Sequence, residues 1–488
     1  MSGYVTIVGA GLAGSEAALS LADRGVAVRL IEMRPAVGTP VHSTGDCAEL
    51  VCSNSLKSLK PSSAAGMLKR ELDELGSPVF AAARRNAVPA GGALAVDRRR
   101  FSAEVTSMVE GHPLIDLARE EVPDLASAAE GADALILATG PLTSDKLADD
   151  LARVAGREHL AFFDAAAPIV MADSLDHEVL FSQNRYEGRE HETGDYLNAP
   201  LSREEYDAFI DELIGAERVV RRDFESHDLF QACQPIEEIA RTGRNAPRYG
   251  PLKPIGLHDP RTGKGPWAAV QLRAEDAQGT SYNLVGFQTN LTFPEQRRVF
   301  RMIPGLEEAE FARYGVMHRN TFLDAPKLLD ADLRLRCPGA EPYATPIFVA
   351  GQLAGTEGYC EAIRSGLHAA ISVAALLKGV QAPALPKEMA FGALMAYATD
   401  PQTRNYQPMH VNFGIVPPLD RRIRSKDDRY AAYAERGAQA LSGYREELAE
   451  AGLLPKGASV GSSSVAPREA QEEEAEAEAD GEGEPLGC

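Results

Sequence analysis

Apolar and polar positions alternate over the first 35 residues in a pattern that predicts a strand, a turn, a helix and a second strand. The run "YVTIV" from Tyr4 is apolar and β-branched, which is typical of a buried strand. Ala and Leu then recur at helical spacing as far as Gly25, where the helix is expected to stop, and "VAVRLIE" follows as another apolar run. The pattern therefore predicts a βαβ unit at the start of the chain.

The same alternation of short strands and helical segments continues to about residue 200 and includes "ADALILATGP" at 132–141. The middle third is richer in Arg, Pro, Asn and aromatic residues, and at 346–379 the strand, glycine turn and long amphipathic helix return. We therefore predict an α/β fold in which a Rossmann-type domain in two segments, 1–204 and 345–450, carries a smaller inserted α/β domain at 205–344.

The end of the chain differs from the rest in composition and charge. Residues 451–488 contain almost no aromatic or branched apolar side chains, and nine acidic residues against one arginine lie between Arg468 and Glu484. This segment carries −8 of the formal charge of −21, so −13 remains before it. We predict a disordered acidic tail, and any RNA partner would have to bind local basic patches.

Composition limits the class of protein further. With 488 residues, 44% of them apolar and 25% charged, the chain is expected to be a globular protein of two domains. A run of about 20 apolar residues and a signal peptide are not found, which predicts a cytoplasmic protein without a membrane partner. Six cysteines are too sparse for a disulfide scaffold and lack zinc-site spacing, so we expect no metal.

A dinucleotide site is predicted by the turn between the first strand and helix. Its residues match G-x-G-x-x-G, and Glu32 ends the second strand at the distance expected of a ribose-binding acid. The turn comprises Gly9, Ala10, Gly11, Leu12, Ala13 and Gly14. Thr139 and Gly140 after an apolar strand, and the segment "PIFVAGQ" before a helix, favour FAD in a glutathione-reductase-like arrangement.

Ten further segments, in order from residue 4 to about 440, resemble the TrmFO family of folate- and FAD-dependent tRNA (uracil-5-)-methyltransferases. They are "GAGLAGSEAA", "IEMRP", "AELVCSNSLKS", "GDYLNAPL", "CQPIEEIA", "YGPLKPIGL", "YNLVGFQTNL", "YGVMHRNTF", "GYCEAIRSGL" and "NYQPMHVNFG". "ELVCSNSLKS" and "YGVMHRNTF" are not general flavoprotein motifs, which makes the resemblance specific. Ala199 in "YLNAP" and the acidic tail depart from the family pattern.

The resemblance implies methyl transfer to C5 of the T-loop uridine, position 54, of tRNA. The carbon donor would be 5,10-methylenetetrahydrofolate, and FADH2, recharged by NAD(P)H, would be the reductant. It also places further side chains near these ligands. They are Arg34, Gly351, Gln352 and Tyr359 at the cofactor, with His318 and Asn320 in a folate or uracil pocket.

Two cysteines, Cys52 and Cys233, match the functional cysteines of the family. Uracil C5 is a poor nucleophile, and addition of a thiolate to C6 activates it. Cys233 precedes a helix expected from Pro235 to about Gly243, whose N-terminus would lower a thiol pKa, although Glu237 and Glu238 oppose this. We favour Cys233 as the nucleophile because the inserted domain is the expected RNA side. The sequence leaves the division of labour open.

The best candidate phosphate contacts, Arg241, Arg244, Arg248 and Lys253, adjoin Cys233 in the sequence. Further candidate phosphate contacts are the basic clusters Arg221 and Arg222, and Arg421, Arg422 and Arg424. Three alternatives remain at this stage. They are a paralogue that methylates ribosomal RNA, an NAD(P)H-dependent flavin oxidoreductase without RNA, and a flavin-containing RNA-binding protein that folds tRNA.

Overall fold

The structure is a computed structural model. It describes residues 3–39, 41–155, 162–165, 167–185, 194–219, 234–276, 278–315, 317–336, 344–403, 406 and 408–455, with the backbone alone at 162–165 and 317–320. Cys233, residues 221–222 and the predicted acidic tail beyond residue 455 lie outside the described residues.

Sixteen strands lie in the described residues. They are β1 Tyr4–Val8, β2 Ala27–Glu32, β3 Ser55–Ser58, β4 Ala87–Val88, β5 Ala93–Val96, β6 Ile115–Arg119, β7 Ala134–Leu137, β8 Phe162–Ala165, β9 Ile169–Met171, β10 Phe181–Ser182, β11 Tyr196–Leu201, β12 Ala268–Ala274, β13 Ser281–Leu284, β14 Phe311–Arg313, β15 Met317–Asn320 and β16 Ile347–Val349.

Fourteen α-helices accompany them in the same ranges. They are α1 Leu12–Asp23, α2 Ala64–Glu74, α3 Pro78–Arg85, α4 Arg98–Glu110, α5 Leu125–Ala129, α6 Asp145–Ala155, α7 Arg203–Gly215, α8 Ile236–Thr242, α9 Ala246–Tyr249, α10 Phe293–Phe300, α11 Ala325–Leu328, α12 Tyr359–Lys378, α13 Ala390–Ala398 and α14 Lys426–Glu450. Short 3₁₀ turns occur at Gly140–Leu142, Ala172–Ser174 and Gly351–Ala354.

A five-stranded parallel sheet forms the centre of the first core, in the order β16-β7-β1-β2-β6. Strand β1 pairs in parallel with β2, with Tyr4 opposite Ala27, and α1 connects them as the predicted βαβ unit requires. Near-continuous burial of β1 and β7 reflects a sheet covered on both faces. The predicted α/β, Rossmann-type fold class is confirmed.

The second large sheet has six strands in the order β10-β11-β12-β13-β9-β14, and its neighbours pair antiparallel. A three-stranded sheet, β3-β5-β4, and the pair β15-β8 are the other sheets among the described residues. The second core packs on the six-stranded sheet and contains buried apolar residues from Val170 to Ala309. The earliest strand of this core, β9, thus precedes residue 205, where the inserted domain is predicted to begin. The domain boundaries stay a prediction.

Helix α12 lies in the first core, whose buried residues come from before residue 156 and after residue 322. Within the described residues it alone has the length and hydropathy of a membrane span, and 83% of that window is buried inside the protein. The apolar surface of α12 is thus covered by protein, as in a core helix. A cytoplasmic location stays a prediction.

Candidate functional site

Four parallel strands, β1, β2, β7 and β16, end at the same edge of the first sheet, and a cavity of about 340 Å³ lies there. Parallel sheets bind ligands outside the carboxyl ends of their strands. The lining includes eleven of the thirteen predicted cofactor residues together with Cys52. These eleven are Gly9, Gly11, Leu12, Ala13, Glu32, Arg34, Thr139, Gly140, Gly351, Gln352 and Tyr359.

The turn after β1 has the geometry of a dinucleotide-binding turn. Gly9 has φ +98°, and a Cβ there would lie 2.5 Å from the carbonyl oxygen of Ala138, so only glycine fits. A Cβ at Gly14 would collide with the carbonyl oxygen of Gly9, so the helix packs against its own turn. A Cβ at Gly11 would meet nothing within 4 Å. The turn therefore leaves open space in front of the N-terminus of α1, where a pyrophosphate fits.

Glu32 is held at the end of β2 by its neighbours. Its Oε2 accepts the Ala10 N–H at 2.8 Å, and its Oε1 accepts both the backbone N–H and Nε of Arg34, at 3.0 and 2.9 Å. Burial opposes ionisation of Glu32, but the bonds and charge of Arg34 outweigh it and hold the pKa of this carboxyl below its usual value. A fixed carboxylate beside the glycine turn fits the ribose of a dinucleotide.

Arg34 serves the fold of this region as well. Its guanidinium binds the carboxylate of Glu49 at 3.1 Å and the carbonyl oxygens of Thr44 and Asp46 at 3.3 and 3.1 Å, and only 3% of Arg34 is exposed. These bonds fold the segment before Cys52 onto the end of β2. Arg34 thus shapes the cavity wall, and its contact with a cofactor stays a prediction.

The loop that carries Cys52 is held by side chains from both cores. The Tyr359 hydroxyl, in the first turn of α12, accepts the backbone N–H groups of Cys52 and Ser53 at 2.9 and 3.1 Å. The Cys52 carbonyl accepts Nη2 of Arg313, in β14 of the second sheet, at 3.0 Å and Nη2 of Arg98 at 3.5 Å. The Cys52 peptide is therefore fixed from both sides at the cavity.

Asn54 extends this connection between the cores. Its Nδ2 donates to the carbonyl oxygens of Val96 at 3.1 Å and Ala274 at 2.8 Å, and its Oδ1 accepts Nε of Arg273 at 2.7 Å. Asn54 is fully buried. Because each of its polar groups has a partner, the loop has a defined position next to the second sheet.

Two other cysteines near the cavity are poor candidates for thiolates. Burial raises the pKa of Cys47 to about 11 and that of Cys360 to about 12, despite the nearby cations. Cys47 is fully buried and belongs to the first core. Both side chains therefore behave as small apolar groups.

Cys233 lies just outside the described residues, but the chain that follows it reaches the cavity. The backbone N–H of Ile236 donates to the carbonyl of Gln288 at 2.8 Å, and Gln288 lines the cavity with Cys52. Glu237 is fully buried and accepts the Asn290 N–H at 2.7 Å and the Thr289 hydroxyl at 3.0 Å. Helix α8, predicted from the sequence, thus begins at the cavity wall.

For the two residues predicted to line a folate or uracil pocket, the structure describes the backbone alone. His318 and Asn320 lie in β15, which pairs with β8, and the next residue, Thr321, donates its N–H to the carbonyl of Pro141 at 2.8 Å. Pro141 lines the cavity. The strand therefore runs past the cavity, and the roles of His318 and Asn320 stay predictions.

The predicted RNA-binding arginines of the second core already have protein partners. Arg244 pairs with Asp211 and with Asp207, the latter at 3.8 Å, and Arg241 lies 3.7 Å from Glu238. Arg248 donates Nε to the carbonyl of Trp267 at 2.7 Å and stacks its guanidinium 3.9 Å from the ring centroid. Lys253 also has an interaction partner. Carboxylates therefore offset the charge of Arg241 and Arg244, which the sequence did not predict.

Several cavity residues were not predicted from the sequence. Lys57 has φ +66°, a backbone conformation that costs a lysine about 1 kcal/mol, and its ammonium lies 3.5 Å from the Glu361 carboxylate. His410 and Gln288 also line the cavity. All four lie inside the family-like segments "AELVCSNSLKS", "GYCEAIRSGL", "NYQPMHVNFG" and "YNLVGFQTNL", so the signal was present in those segments.

In the part of the chain that the structure describes, no group of three or more His, Cys, Asp or Glu side chains could hold a metal ion. The absence of a metal from the whole protein stays a prediction. The site as described combines a dinucleotide turn, a fixed carboxylate and a thiol-bearing loop around one cavity.

Comparison with known proteins identifies the family. The model of the GIDA family, "Glucose inhibited division protein A", matches residues 4–381. The methylenetetrahydrofolate--tRNA-(uracil-5-)-methyltransferase TrmFO of Desulforudis audaxviator is 52% identical over 454 residues, covering 92% of this chain and 100% of the relative. Its namesake in Geobacter sulfurreducens is 53% identical over 429 residues, covering 88% and 96%.

A solved structure supports the fold. The crystal structure of Aquifex aeolicus GidA superposes with a TM-score of 0.64 at 17% identity, covering 94% of this chain and 75% of that chain. At this identity the likeness concerns the fold alone. The identity to curated relatives over most of their length is decisive, and this chain belongs to the TrmFO family, within the wider GIDA family.

Proposed function

We propose that this chain methylates C5 of the T-loop uridine, position 54, of tRNA. The carbon donor is 5,10-methylenetetrahydrofolate, the reductant is FADH2 recharged by NAD(P)H, and a cysteine thiolate adds to uracil C6. The observation that carries the proposal is that Cys52 lines the same cavity as the dinucleotide turn. The relatives in Desulforudis audaxviator and Geobacter sulfurreducens are named methylenetetrahydrofolate--tRNA-(uracil-5-)-methyltransferase, which supports the donor and the substrate class.

The thiol performs the part of the chemistry that uracil cannot perform alone. When a thiolate forms a bond to C6, electron density moves to C5, which then attacks the methylene carbon of the donor. A base removes the C5 proton, and the bond between the methylene carbon and the folate nitrogen breaks so that tetrahydrofolate leaves. Two electrons and a proton, together a hydride equivalent, then convert the methylene to methyl, and the thiolate leaves C6 again. FAD, when bound and reduced, supplies the electrons. Residues that would hold it are the Gly9–Gly14 turn, Glu32 and the lining segments at 138–140 and 351–359.

Cys233 is proposed as the nucleophile and Cys52 as its partner in proton transfer. Ile236, whose backbone is bonded to the cavity residue Gln288, follows Cys233 by three positions, and three residues span at most about 10 Å. The negative charge of the two carboxylates expected to oppose thiolate formation is also reduced. Burial raises the pKa of Glu237 to about 7, and Glu238 pairs with Arg218 at 2.7 Å.

The test is transfer of labelled methylene carbon from the donor to an unmodified tRNA transcript in the presence of NAD(P)H. Wild type is compared with Cys52→Ala and Cys233→Ala, and Cys47→Ala is the control because its thiol is buried and protonated. We expect label at the T-loop uridine with wild type and the control, and a loss of at least about 100-fold in the two variants.

Two outcomes contradict the proposal in different ways. If NAD(P)H reduces bound flavin in wild type while no label reaches tRNA, methyl transfer to tRNA is wrong and a flavin oxidoreductase is favoured. If label reaches a ribosomal RNA fragment instead, the chemistry holds and the choice of RNA is wrong. Undiminished transfer in either cysteine variant would contradict the role given to that thiol.

A further inference from the structure

A second concave surface of the molecule carries the arginines of the basic cluster at 421–424. It is a cleft of about 440 Å³ between the end of the loop that follows α13 and the start of α14. We call it the basic cleft. It is lined by Pro418, Leu419, Arg421, Arg422, Ile423, Arg424, Arg429 and Tyr433.

Three arginines of the basic cleft, Arg421, Arg422 and Arg424, are exposed. None of them is within ion-pair distance of a carboxylate that the structure describes. By the same distance criterion, Arg241 and Arg244 of the second core do form ion pairs. Asp420, next to Arg421 in the sequence, is exposed and lies outside ion-pair distance of these arginines. Asp427 pairs with Lys60 at 3.3 Å, and Asp428 lies in the first turn of α14, where acids are stabilised by the helix dipole.

The backbone of the basic cleft is fixed by other cations beneath it. Arg436 of α14 donates to the carbonyl oxygens of Pro417 and Pro418, the latter at 2.9 Å, and Arg429 donates to the carbonyl of Ile423 at 3.4 Å. The ring of Phe413 stacks on two tyrosines of α14, with centroids 4.4 Å from Tyr430 and 5.1 Å from Tyr433. The cleft is therefore built on the last helix of the fold.

The basic cleft is continuous with the cavity along the chain. Met409 exchanges backbone hydrogen bonds with Gly355 and Glu357, at 3.3 and 3.1 Å, and the Val411 N–H donates to the Glu361 carboxylate at 3.2 Å. His410 between them lines the cavity, and Arg421 follows it by eleven residues. On the other side, the Lys60–Asp427 pair connects the segment after β3 to the start of α14. A polymer whose one nucleotide enters the cavity would extend toward this surface.

We propose that the basic cleft binds the sugar–phosphate backbone of the substrate RNA while the target base occupies the cavity. This inference rests on the proposed function and adds to it the location of the RNA. Guanidinium groups bind phosphates through paired N–H donors, and such contacts position a nucleic acid without reading its sequence. In a chain of formal charge −21, RNA must be attracted locally, and unpaired arginines provide that attraction where ion-paired ones do not.

The test compares two variants with the same change of charge. Arg421→Gln/Arg422→Gln/Arg424→Gln removes the exposed cations of the cleft, and Arg241→Gln/Arg244→Gln/Lys253→Gln removes three of the cations predicted from the sequence. The affinity for unmodified tRNA transcript is measured from 50 to 300 mM salt. Each phosphate contact contributes about 0.7 to 0.9 to the slope of log K against log salt. We expect the slope to fall by about 2 to 3 in the cleft variant and by less than 1 in the other.

Two further measurements keep the inference separate from the proposed function. Flavin reduction by NAD(P)H should be unchanged in the cleft variant, and Arg421→Lys/Arg422→Lys/Arg424→Lys should restore most of the salt slope because it keeps the charge. An unchanged slope in the cleft variant, or an equal loss in both variants, would overturn the inference even if methyl transfer is found. Loss of RNA binding in the cleft variant of a protein that transfers no methyl group would instead leave the inference standing and refute the function.

Discussion

Tyr359→Phe removes one oxygen atom at the point where the Cys52 loop is attached to the first core. The phenol accepts two backbone N–H groups, from Cys52 and Ser53, at 2.9 and 3.1 Å. The ring, which packs against the first core, is kept in the variant. The change therefore isolates two hydrogen bonds from the packing of α12.

The magnitude follows from those two bonds. A hydrogen bond contributes about 0.5 to 1.5 kcal/mol net, and a buried N–H left without a partner costs more. Two of them amount to about 2 kcal/mol, which is a factor of about 30 in the equilibrium between the attached and the detached loop. The bonds from Arg98 and Arg313 to the Cys52 carbonyl remain, so the loop should open locally while the fold persists.

Hydrogen exchange followed by mass spectrometry measures this opening directly. Peptides that cover residues 47–58 should exchange about 30-fold faster in the Tyr359→Phe variant, and methyl transfer should fall with them. Tyr249→Phe is the matched control, because Tyr249 is 71% exposed and its hydroxyl carries no comparable pair of bonds. If exchange at 47–58 is the same in wild type and Tyr359→Phe, the tyrosine does not hold the loop and our account of the site is wrong.

Three other measurements test separate parts of the structure. Burial raises the pKa of the Glu237 carboxyl to about 7 from 4.5. Between these pH values the folded state binds one proton more than the unfolded state, so the free energy of unfolding falls by about 1.4 kcal/mol per pH unit as pH rises. In urea titrations at pH 5, 6 and 7, Glu237→Gln should remove this slope and Glu238→Gln should keep it. Cys47 and Cys360, with pKa values of about 11 and 12, should react with iodoacetamide at pH 8.5 at least about 100-fold more slowly than free cysteine, and labelling at the free rate would contradict their burial. Removal of residues 457–488 changes the formal charge from −21 to −13. The truncated protein should therefore associate with tRNA faster than the full-length protein at 50 mM salt and at the same rate at 300 mM. If the two proteins associate at the same rate at both salt concentrations, the net charge of the protein does not affect association.

The parts of the fold that sequence reasoning predicted well are those with a local signature. The βαβ unit appears as β1, α1 and β2, the segment at 132–141 contains β7, and the helix after Pro235 is Ile236–Thr242. Each of these depends on periodicity over 5 to 20 residues and on a glycine or proline at its end. The converging strand ends then follow from the parallel sheet, which explains why most predicted cofactor residues share one cavity.

The second sheet could not be predicted in the same way. Its order, β10-β11-β12-β13-β9-β14, brings residues 169–171 between strands that lie more than 100 residues later. Strand pairing of this kind leaves no local pattern, because each strand is a short apolar run that has several possible neighbours. Strands β9 and β11, which precede residue 205, belong to this second sheet, and the predicted domain boundaries stay a prediction.

Ion pairing is the other property that the sequence could not provide, and it changed the interpretation of the basic residues. Arg241 and Arg244 were favoured because they adjoin Cys233, but carboxylates from α7 and α8 neutralise them. Arg421 and its neighbours looked like one more charged run, yet they are exposed and keep their charge available.

The Cys52 loop shows why the site needs both cores. The dinucleotide turn is made from one continuous segment, and any protein with this βαβ unit can form it. Cys52, in contrast, is positioned by Tyr359 of α12 and by Arg313 of β14, and Asn54 two residues later bonds to Arg273, 219 residues away. A thiol held in this way faces the cavity only when the second sheet is in place. The second core therefore contributes to the site by fixing the thiol-bearing loop at the cavity.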